Sequence, residues 1–516
     1  MIAKVYSAIP QGYDGRIVEV EGDSNRGLPC FNIVGMANKT ISESRERVRA
    51  ALANSGFDFP MRKVTISLAP AELSKDGSHL DLPIALAILV LSEQLLPQNI
   101  AHMLFVGELA LDGQIRPVRG IINIIETAKK SGYTAIFLPR DNLQQASLIK
   151  GITIYGVTNL LELFLHLKGQ IQIKPAPPNV VKNNLTDDKQ TYPTLDDIYG
   201  QNIAKRALAI AIAGHHNLLL TGPPGTGKSL LAQAASNLLP APTPEEQVEI
   251  AKIHSLSNTS NHNYQQRPFR TPHHTASRSS IIGGGTHSQP GEISLAHHGI
   301  LFLDEVPEYS RDVIESLRQP LENGTITISR AHQHVTYPAN FILIATMNPC
   351  PCGYFGDPEH TCKCTLVQLQ KYQKRLSGPI RDRIDLTVCV NRIATDNLLP
   401  STNNIVKNTK IDNHGSSTHS VVKNNIIGAI QRQFQRYGVG HYNASLSSTE
   451  ITQKLRIHLQ ARQLLNEAAK HYALSIRSYL KTIKVAQTIA DLEGVTEIGI
   501  KHISEALSFR ENQIEH

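Results

Sequence analysis

Hydrophobic and polar positions divide this chain into stretches with different rhythms. Residues 1–168 set short apolar runs (KVTISL at 63–68, HMLFVGEL at 102–109, TAIFLP at 134–139) between helix-like segments, which predicts a compact α/β domain. Residues 169–195 (IKPAPPNVVKNNLTDDKQTYP and its flanks) are rich in Pro, Asn and charge and read as a linker. In residues 196–394 the runs HNLLLTG, GILFLDEV and FILIATMN have the continuous apolar character of parallel strands buried on both faces. An Asn/Ser/Thr-rich stretch, 395–423, is expected to be a flexible polar insert, and 424–516 reads as a helical domain. The longest apolar run, LPIALAILVL at 82–91, is about half a bilayer span and predicts a buried helix, so no membrane partner is expected.

The length of 516 residues agrees with several cores, since domains average about 150 residues. The 51 basic and 44 acidic side chains leave a formal charge of +7, which permits an anionic partner without requiring one. The alternating segment after Met1 lacks a basic head and a long apolar run, so no secretory signal is expected. Four of the six cysteines are bunched at 350–364, a ligand-like distribution that suits a reducing cytoplasm better than a disulfide framework.

The strongest chemical signal is GPPGTGKS: Gly222, Pro223, Pro224, Gly225, Thr226, Gly227, Lys228 and Ser229, with an apolar strand before it and a helical run after it. Glycines there let backbone N–H groups turn onto phosphates, Lys228 brings a charge to the β/γ oxygens, and the Ser229 hydroxyl is a Mg2+ ligand. The run ILFLDE delivers Asp304 as a second Mg2+ ligand and Glu305 as the group that polarises an attacking water. The strand FILIATMN ends in Asn348, suited to orient that water. ATP with Mg2+ is therefore the predicted substrate and cofactor.

Cys350, Cys352, Cys362 and Cys364 form two C-x-C pairs around a loop, a donor set that fits a closed, structural tetrahedral Zn2+ site; His360 is a further candidate ligand. Between Arg267 and Gly291 there is no carboxylate, while Arg267, Arg270, His273, His274, Arg278 and His287 accompany Gly283, Gly284 and Gly285, a composition suited to a phosphate backbone. A hairpin-like GTITISR segment followed by residues 331–334 adds Arg330, His332 and His334. Contacts of this kind read phosphate and sugar, so DNA binding is expected to be independent of sequence and sensitive to salt.

The strings GLPCFNIVGM, SKDGSHLDLPIALAIL, RPFRTPHHTASRSSIIGGG, PGEISLAHHGILFLDEVPE, MNPCPCGYFGD, RLSGPIRDRIDL and SIRSYLKTIKVAQTIADLEG resemble the magnesium-chelatase-like AAA+ family, and within it the ComM/YifB group, over nearly the whole chain. The resemblance implies a Lon-protease-like α/β N-terminal domain (1–168), an AAA+ phosphate-loop core (196–394) and a C-terminal helical lid (424–516). It implies a homo-hexameric ring in which Arg383 completes the neighbour's nucleotide site, with Arg375 and Arg381 as rivals, and in which Arg477 is the second sensor. It further implies a DNA helicase that drives branch migration on single-stranded and branched DNA during natural transformation and recombination. The alternatives are a chelatase-type remodeller of a protein partner, or a Lon-like ATP-dependent protease. Against the last, the Lon pattern set on Lys75-Asp76-Gly77-Ser78 puts His79 at the nucleophile position and Ile122 at the base position, so a non-proteolytic scaffold is expected.

Overall fold

The computed structural model describes residues 2–34, 39–71, 78–177, 192–257, 263–285, 288–330, 333–357, 359–392 and 417–510, and for 39–41, 330 and 333 the backbone alone. Lys75, Asp76, Gly77, His287, His332, the side chain of Arg330, most of the 169–195 linker and most of the 395–423 insert lie outside the described residues. The chain divides into two compact units: Met1–Asp187 with Thr243–Tyr264, and Asp188–Pro242 with Gln265–His516.

The first unit is built on a mixed sheet. Its strands are β1 (Ile2–Gln11), β2 (Asp14–Asn25), β3 (Cys30–Val34), β4 (Lys63–Ala69), β5 (Met103–Phe105), a short hairpin of β6 (Glu108–Leu109) and β7 (Ile115–Arg116), β8 (Ala135–Pro139) and β9 (Thr153–Val157). The sheet order is β3-β4-β2-β1-β5-β8-β9. β1, β2 and β4 pair antiparallel, with Val5 opposite Val20 and Val20 opposite Leu68, whereas β5, β8 and β9 run parallel to β1 and to each other. Because side chains alternate along a strand, Leu104 and Ile136 enter one apolar cluster while Phe105 and Phe137 enter another. The apolar run at 82–91 lies in the helix Asp81–Leu91, whose every residue is buried.

A segment from the middle of the chain completes this unit. The helix Pro244–His254 begins with a capping box between Thr243 and Glu246 and has Pro at its first turn, a favourable helix start. Its Ala251 joins the cluster formed by the helix Ile121–Lys130. Lys252, 5 % exposed at its side chain, pairs with Glu126 at 2.6 Å and Asp14 at 3.3 Å and lies 4.0 Å from the centre of the Tyr13 ring. The two carboxylates offset the cost of burying that ammonium, and a hydrogen bond from Gly120 N–H to the Ser255 carbonyl (2.8 Å) ties the end of the helix to the same unit. Sequence pattern assigned residues 243–264 to the central domain; the contacts they make group them with the N-terminal one.

The second unit carries a parallel sheet of β10 (Leu218–Thr221), β11 (Phe269–Arg270), β14 (Ile300–Leu303), β17 (Ile342–Met347) and β18 (Leu386–Cys389), in the order β11-β14-β17-β10-β18. Smaller antiparallel pairs are β12 (Gly283–Gly284) with β13 (Gln289–Pro290) and β15 (Thr325–Arg330) with β16 (Gln333–Pro338). The buried pattern of β10, β14 and β17 agrees with their continuous apolar runs. One apolar cluster runs from the sheet through the helix Asn202–Gly214 into the helices Thr418–Tyr437 and Ile476–Glu493, so the C-terminal helices share a core with the sheet. The protein is thus a mixed α/β chain with parallel sheet in both units.

Candidate active site

β10, β17 and β14 lie side by side and parallel, with Thr221 level with Met347 and Leu303 level with Ala345. Their carboxyl ends therefore open onto one place, which is where parallel sheets receive ligands. The loop after β10 is 222–227. Gly222 has no room for a side chain, since a Cβ there would lie 2.2 Å from the Val390 carbonyl oxygen. Gly225 and Gly227 take φ of 78° and 84°, a region that favours glycine. The Thr226 hydroxyl donates to the Pro223 carbonyl at 3.0 Å, closing the loop, and the helix Lys228–Leu238 follows at once.

Lys228 is buried, and its ammonium donates to the carbonyls of Gly222 (2.7 Å) and Pro223 (2.8 Å) and to Asn348 Oδ1 (3.2 Å). Burial lowers its pKa from the ordinary value, opposed by the nearby carboxylates of Asp304 and Glu305. The Ser229 hydroxyl donates to Asp304 Oδ2 at 3.0 Å, bringing together the two groups expected to hold Mg2+.

Thr346, which sequence reasoning passed over, organises the acidic pair. Its hydroxyl donates to Asp304 Oδ1 at 2.5 Å and accepts from the Glu305 N–H at 2.9 Å. Glu305 sits at φ 51°, a left-handed conformation that costs a non-glycine residue free energy and here has an identifiable anchor. The available signal was a threonine in the otherwise apolar run FILIATM, two places before Asn348. Tyr372 was also missed: burial pushes its phenol up to about 12, with Glu308 and Glu305 contributing, while the backbone N–H of Asn348 bonds to it.

Arg383, expected to complete a neighbour's site, and Arg477, the expected second sensor, are gathered elsewhere in this unit. Arg383 bonds through Nη2 to Glu322 and through Nη1 to the Pro379 carbonyl (2.6 Å), and Arg477 reaches the same Glu322 at 3.0 Å. Both line a cleft of about 990 Å3, distinct in its lining residues from the 222–229 loop. Of the rivals, Arg375 bonds to the Pro307 carbonyl (3.0 Å) and Glu308 (3.1 Å), and Arg381 to the Gln373 carbonyl (2.7 Å).

The four cysteines converge. Cys350, which is buried, lies 3.3 Å from Cys352 and 3.7 Å from Cys362, sulfur to sulfur; Cys352 and Cys362 are 3.6 Å apart, and Cys364 falls within the same 4.8 Å cluster. The backbone N–H groups of Tyr354 and Lys363 bring the Cys352 thiol down to about 6, which favours a thiolate, whereas burial raises Cys350. His360 instead stacks on Tyr354, with ring centroids 4.8 Å apart, and its Nδ1 lies 3.7 Å from Asp357, so it is not in the sulfur cluster. The loop leans on the phosphate loop: a Cβ on Gly353 would stand 2.8 Å from Pro224 Cδ.

The residues predicted to meet DNA separate into two groups. Arg270 makes a bidentate pair with Glu292 (2.6 and 2.7 Å), the carboxylate one place beyond the acid-free stretch, and Arg267 donates to the Pro240 and His298 carbonyls, both at 2.9 Å. Both guanidinium groups are engaged by protein partners in this conformation. Arg278 and His273 are exposed, while His274 is half-buried against Tyr309, whose hydroxyl donates to the Pro272 carbonyl at 2.5 Å. Gly283 and Gly284 pair with Gln289 and Pro290. Arg330 ends β15, in a hairpin that buries Ile326, Ile328, Val335 and Tyr337 and leaves Thr327 and His334 outside.

The family models for the magnesium chelatase subunit ChlI match residues 20–142 and 194–398, and the model for its C-terminal part matches 416–510. Over 515 residues the chain is 42 % identical to the competence protein ComM of Haemophilus influenzae, covering 99 % of this chain and 97 % of that one. The chain belongs to the magnesium-chelatase-like ComM/YifB family. Another member, the uncharacterised protein YifB of Escherichia coli, is 41 % identical across 98 % of this chain and 96 % of its own. The magnesium-chelatase 67 kDa subunit of Heliobacterium mobile is more distant, 28 % identical over 31 % of this chain and 28 % of its own. The family is one of AAA+ ATPases, and the Haemophilus relative is named as a competence protein.

Proposed function

We propose that this protein is an ATP-hydrolysing motor that assembles as a homo-hexameric ring and moves branched DNA, promoting branch migration during natural transformation and recombination. The observation that carries the reading is the set of contacts joining Lys228, Asn348, Asp304, Ser229, Thr346 and Glu305 at the ends of adjacent parallel strands. In that setting the loop N–H groups and Lys228 bind the triphosphate, and Glu305 and Asn348 position and deprotonate the attacking water. Ser229 and Asp304 are the residues that would hold Mg2+, whose charge neutralises the β/γ oxygens. Arg383 serves the nucleotide of an adjoining copy, and Arg477, beside it at one cleft, is the second sensor that links the position of the C-terminal helices to nucleotide state.

DNA as the substrate is supported by the ComM relative's name, by the exposed Arg278 and His273, and by the β15–β16 hairpin. The Lon-like assignment of the N-terminal domain as a non-proteolytic scaffold is supported by Ser78, whose hydroxyl donates to the Glu108 carboxylate with no amine base at the Ile122 position. The bunching of four cysteines at 350–364 in a ligand-like pattern supports a cytoplasmic location, and among the described residues no helix is long and apolar enough to cross a membrane.

The sulfur cluster supports a structural Zn2+. Zn–S bonds of about 2.3 Å in a tetrahedron put sulfurs about 3.8 Å apart, close to the 3.3 to 3.7 Å separations here. Its ligands start two residues after Asn348, so the metal would hold the loop that carries the water-orienting side chain.

The deciding experiment measures ATP turnover of the assembled protein with and without single-stranded and forked DNA, together with ATP-dependent movement of a three-stranded joint. Stimulation by DNA and movement of the joint are expected. Turnover that responds only to a protein partner would transfer the assignment to a chelatase-type remodeller.

A further inference from the structure

Glu322 lies near the end of the helix Arg318–Asn323, two places before the chain turns through Gly324 (φ 64°) into β15. The turn is locked at the base of the hairpin by a hydrogen bond from Ala339 N–H to the Gly324 carbonyl, 2.7 Å. From this position the carboxylate accepts from Arg383 through Oε2 and from Arg477 through Oε1. The three charged groups line the same cleft as Gly324 and Asn340, which belong to the hairpin base. Glu322 and Arg477 are about half exposed at their side chains, 49 % and 51 %, whereas Arg383 is 13 % exposed.

The Arg477–Glu322 pair is exposed at both side chains and contributes little to stability, so a role in holding the fold together is a weak account of it. Its effect on geometry is larger. Two guanidinium groups repel one another, and a single carboxylate that gives one oxygen to each is what lets both point into one cleft. A pair of arginines held side by side presents several N–H donors to one phosphoryl group, provided that their spacing is maintained.

We propose that Glu322 is a positioning residue. It gathers Arg383 and Arg477 into one cationic site for the triphosphate held by a second copy of this chain, and ties the spacing of that site to the base of the β15–β16 hairpin. The inference rests on the ring reading given above. It makes the hairpin, a candidate DNA contact, and the arginine pair two ends of one short lever, because a displacement of the strand that begins at Thr325 moves the Glu322 backbone with it.

The test uses the full-length, assembled protein and compares Glu322→Gln, Arg383→Ala and the double variant for ATP turnover, with and without single-stranded DNA. Glu322→Gln keeps the shape and removes the charge. Its maximal rate is expected to fall by about tenfold or more, as for other misplacements of catalytic groups, and its stimulation by DNA is expected to disappear. KM for ATP should stay within about twofold, since the variant's own phosphate loop is untouched. In the double variant the two losses should fall well short of multiplying, because Glu322 acts in part through that arginine. Losses that multiply in the double variant, or normal turnover and DNA response in Glu322→Gln while Arg383→Ala is impaired, overturn the inference alone. Normal turnover in Arg383→Ala overturns the trans-arginine reading, and the inference with it.

Discussion

Replacing Thr346 with Val keeps the shape of a fully buried side chain and deletes the hydroxyl that joins Asp304 to Glu305. The bond to the Asp304 carboxylate belongs to the charged class, about 1.5 to 3 kcal/mol, and leaving the Glu305 N–H without its acceptor costs about 1 to 3 kcal/mol. Glu305 then has less reason to stay at φ 51°, a conformation that costs about 1 to 3 kcal/mol for a residue other than glycine. If about 3 kcal/mol of this sum appears as misplacement of the water-activating carboxylate, turnover falls by about 10². Asp304 keeps its bond from Ser229, and Lys228 its contacts with the loop, so nucleotide affinity should change much less. The assay pairs steady-state ATP hydrolysis with a titration of a fluorescent ATP analogue, and Thr346→Ser should recover most of the rate. Turnover of Thr346→Val within twofold of the parent would refute the idea that this threonine fixes the geometry of the acidic pair.

Lys228→Ala should lose nucleotide affinity in the same titration, whereas Glu305→Gln should bind ATP and stall with it bound; full turnover in Glu305→Gln removes its role in activating water. Fresh, reduced protein should contain about one Zn2+ per chain by metal analysis, and Cys352→Ser with Cys362→Ser should abolish it; absence of metal from the parent ends the zinc proposal. Asp385 supplies a pH test: burial alone would raise its carboxyl, but Lys481 at 2.8 Å and His216 at 3.4 Å outweigh burial and hold it below the ordinary range. A folded-state pKa below the unfolded value means that its stabilisation is fully present above about pH 4 and is lost progressively as the pH falls below that towards the lower folded-state value. Asp385→Asn should therefore lower Tm by a constant amount at neutral pH, with the two curves converging in acid; a gap that widens in acid contradicts the assignment.

The candidate nucleotide site was legible as a pattern because phosphate-binding chemistry demands particular residues in a particular order: the 222–229 loop, Asp304 and Glu305 follow buried apolar runs that became β10 and β14. The C-x-C pairs were legible for the same reason, since ligand spacing is local. What escaped were side chains whose purpose arises only when distant segments meet. Nothing near Glu322 in the chain distinguishes it from a solvated helix-face acid until Arg383 and Arg477, 61 and 155 residues away in sequence, arrive on its two oxygens. At Arg267 and Arg270 composition did not show the protein partners: the absence of acids in the stretch itself hid Glu292 just past its end, and the carbonyls of Pro240 and His298. Helix 244–254 was read as part of the central domain because pattern reports that a helix forms and not which core receives it.

β17 gives these separate readings a common physical basis. Alternation along a strand sends residues two apart to the same face, and the end of this one carries Thr346 on the acidic pair and, two residues on, Asn348 on Lys228. Cys350 follows after a further two. Tyr372, on the helix that begins after Cys364, returns to the backbone of Asn348, so the loop with the sulfur cluster is anchored at both ends beside the water-orienting residue. Removing metal from such a loop should loosen Asn348 before it disturbs Lys228, which has its own bonds to the Gly222 and Pro223 carbonyls. A chelator-treated protein is therefore expected to bind ATP with near-normal affinity and to hydrolyse it slowly. Equal loss of both would mean that the cluster supports the whole sheet edge, not this one strand end.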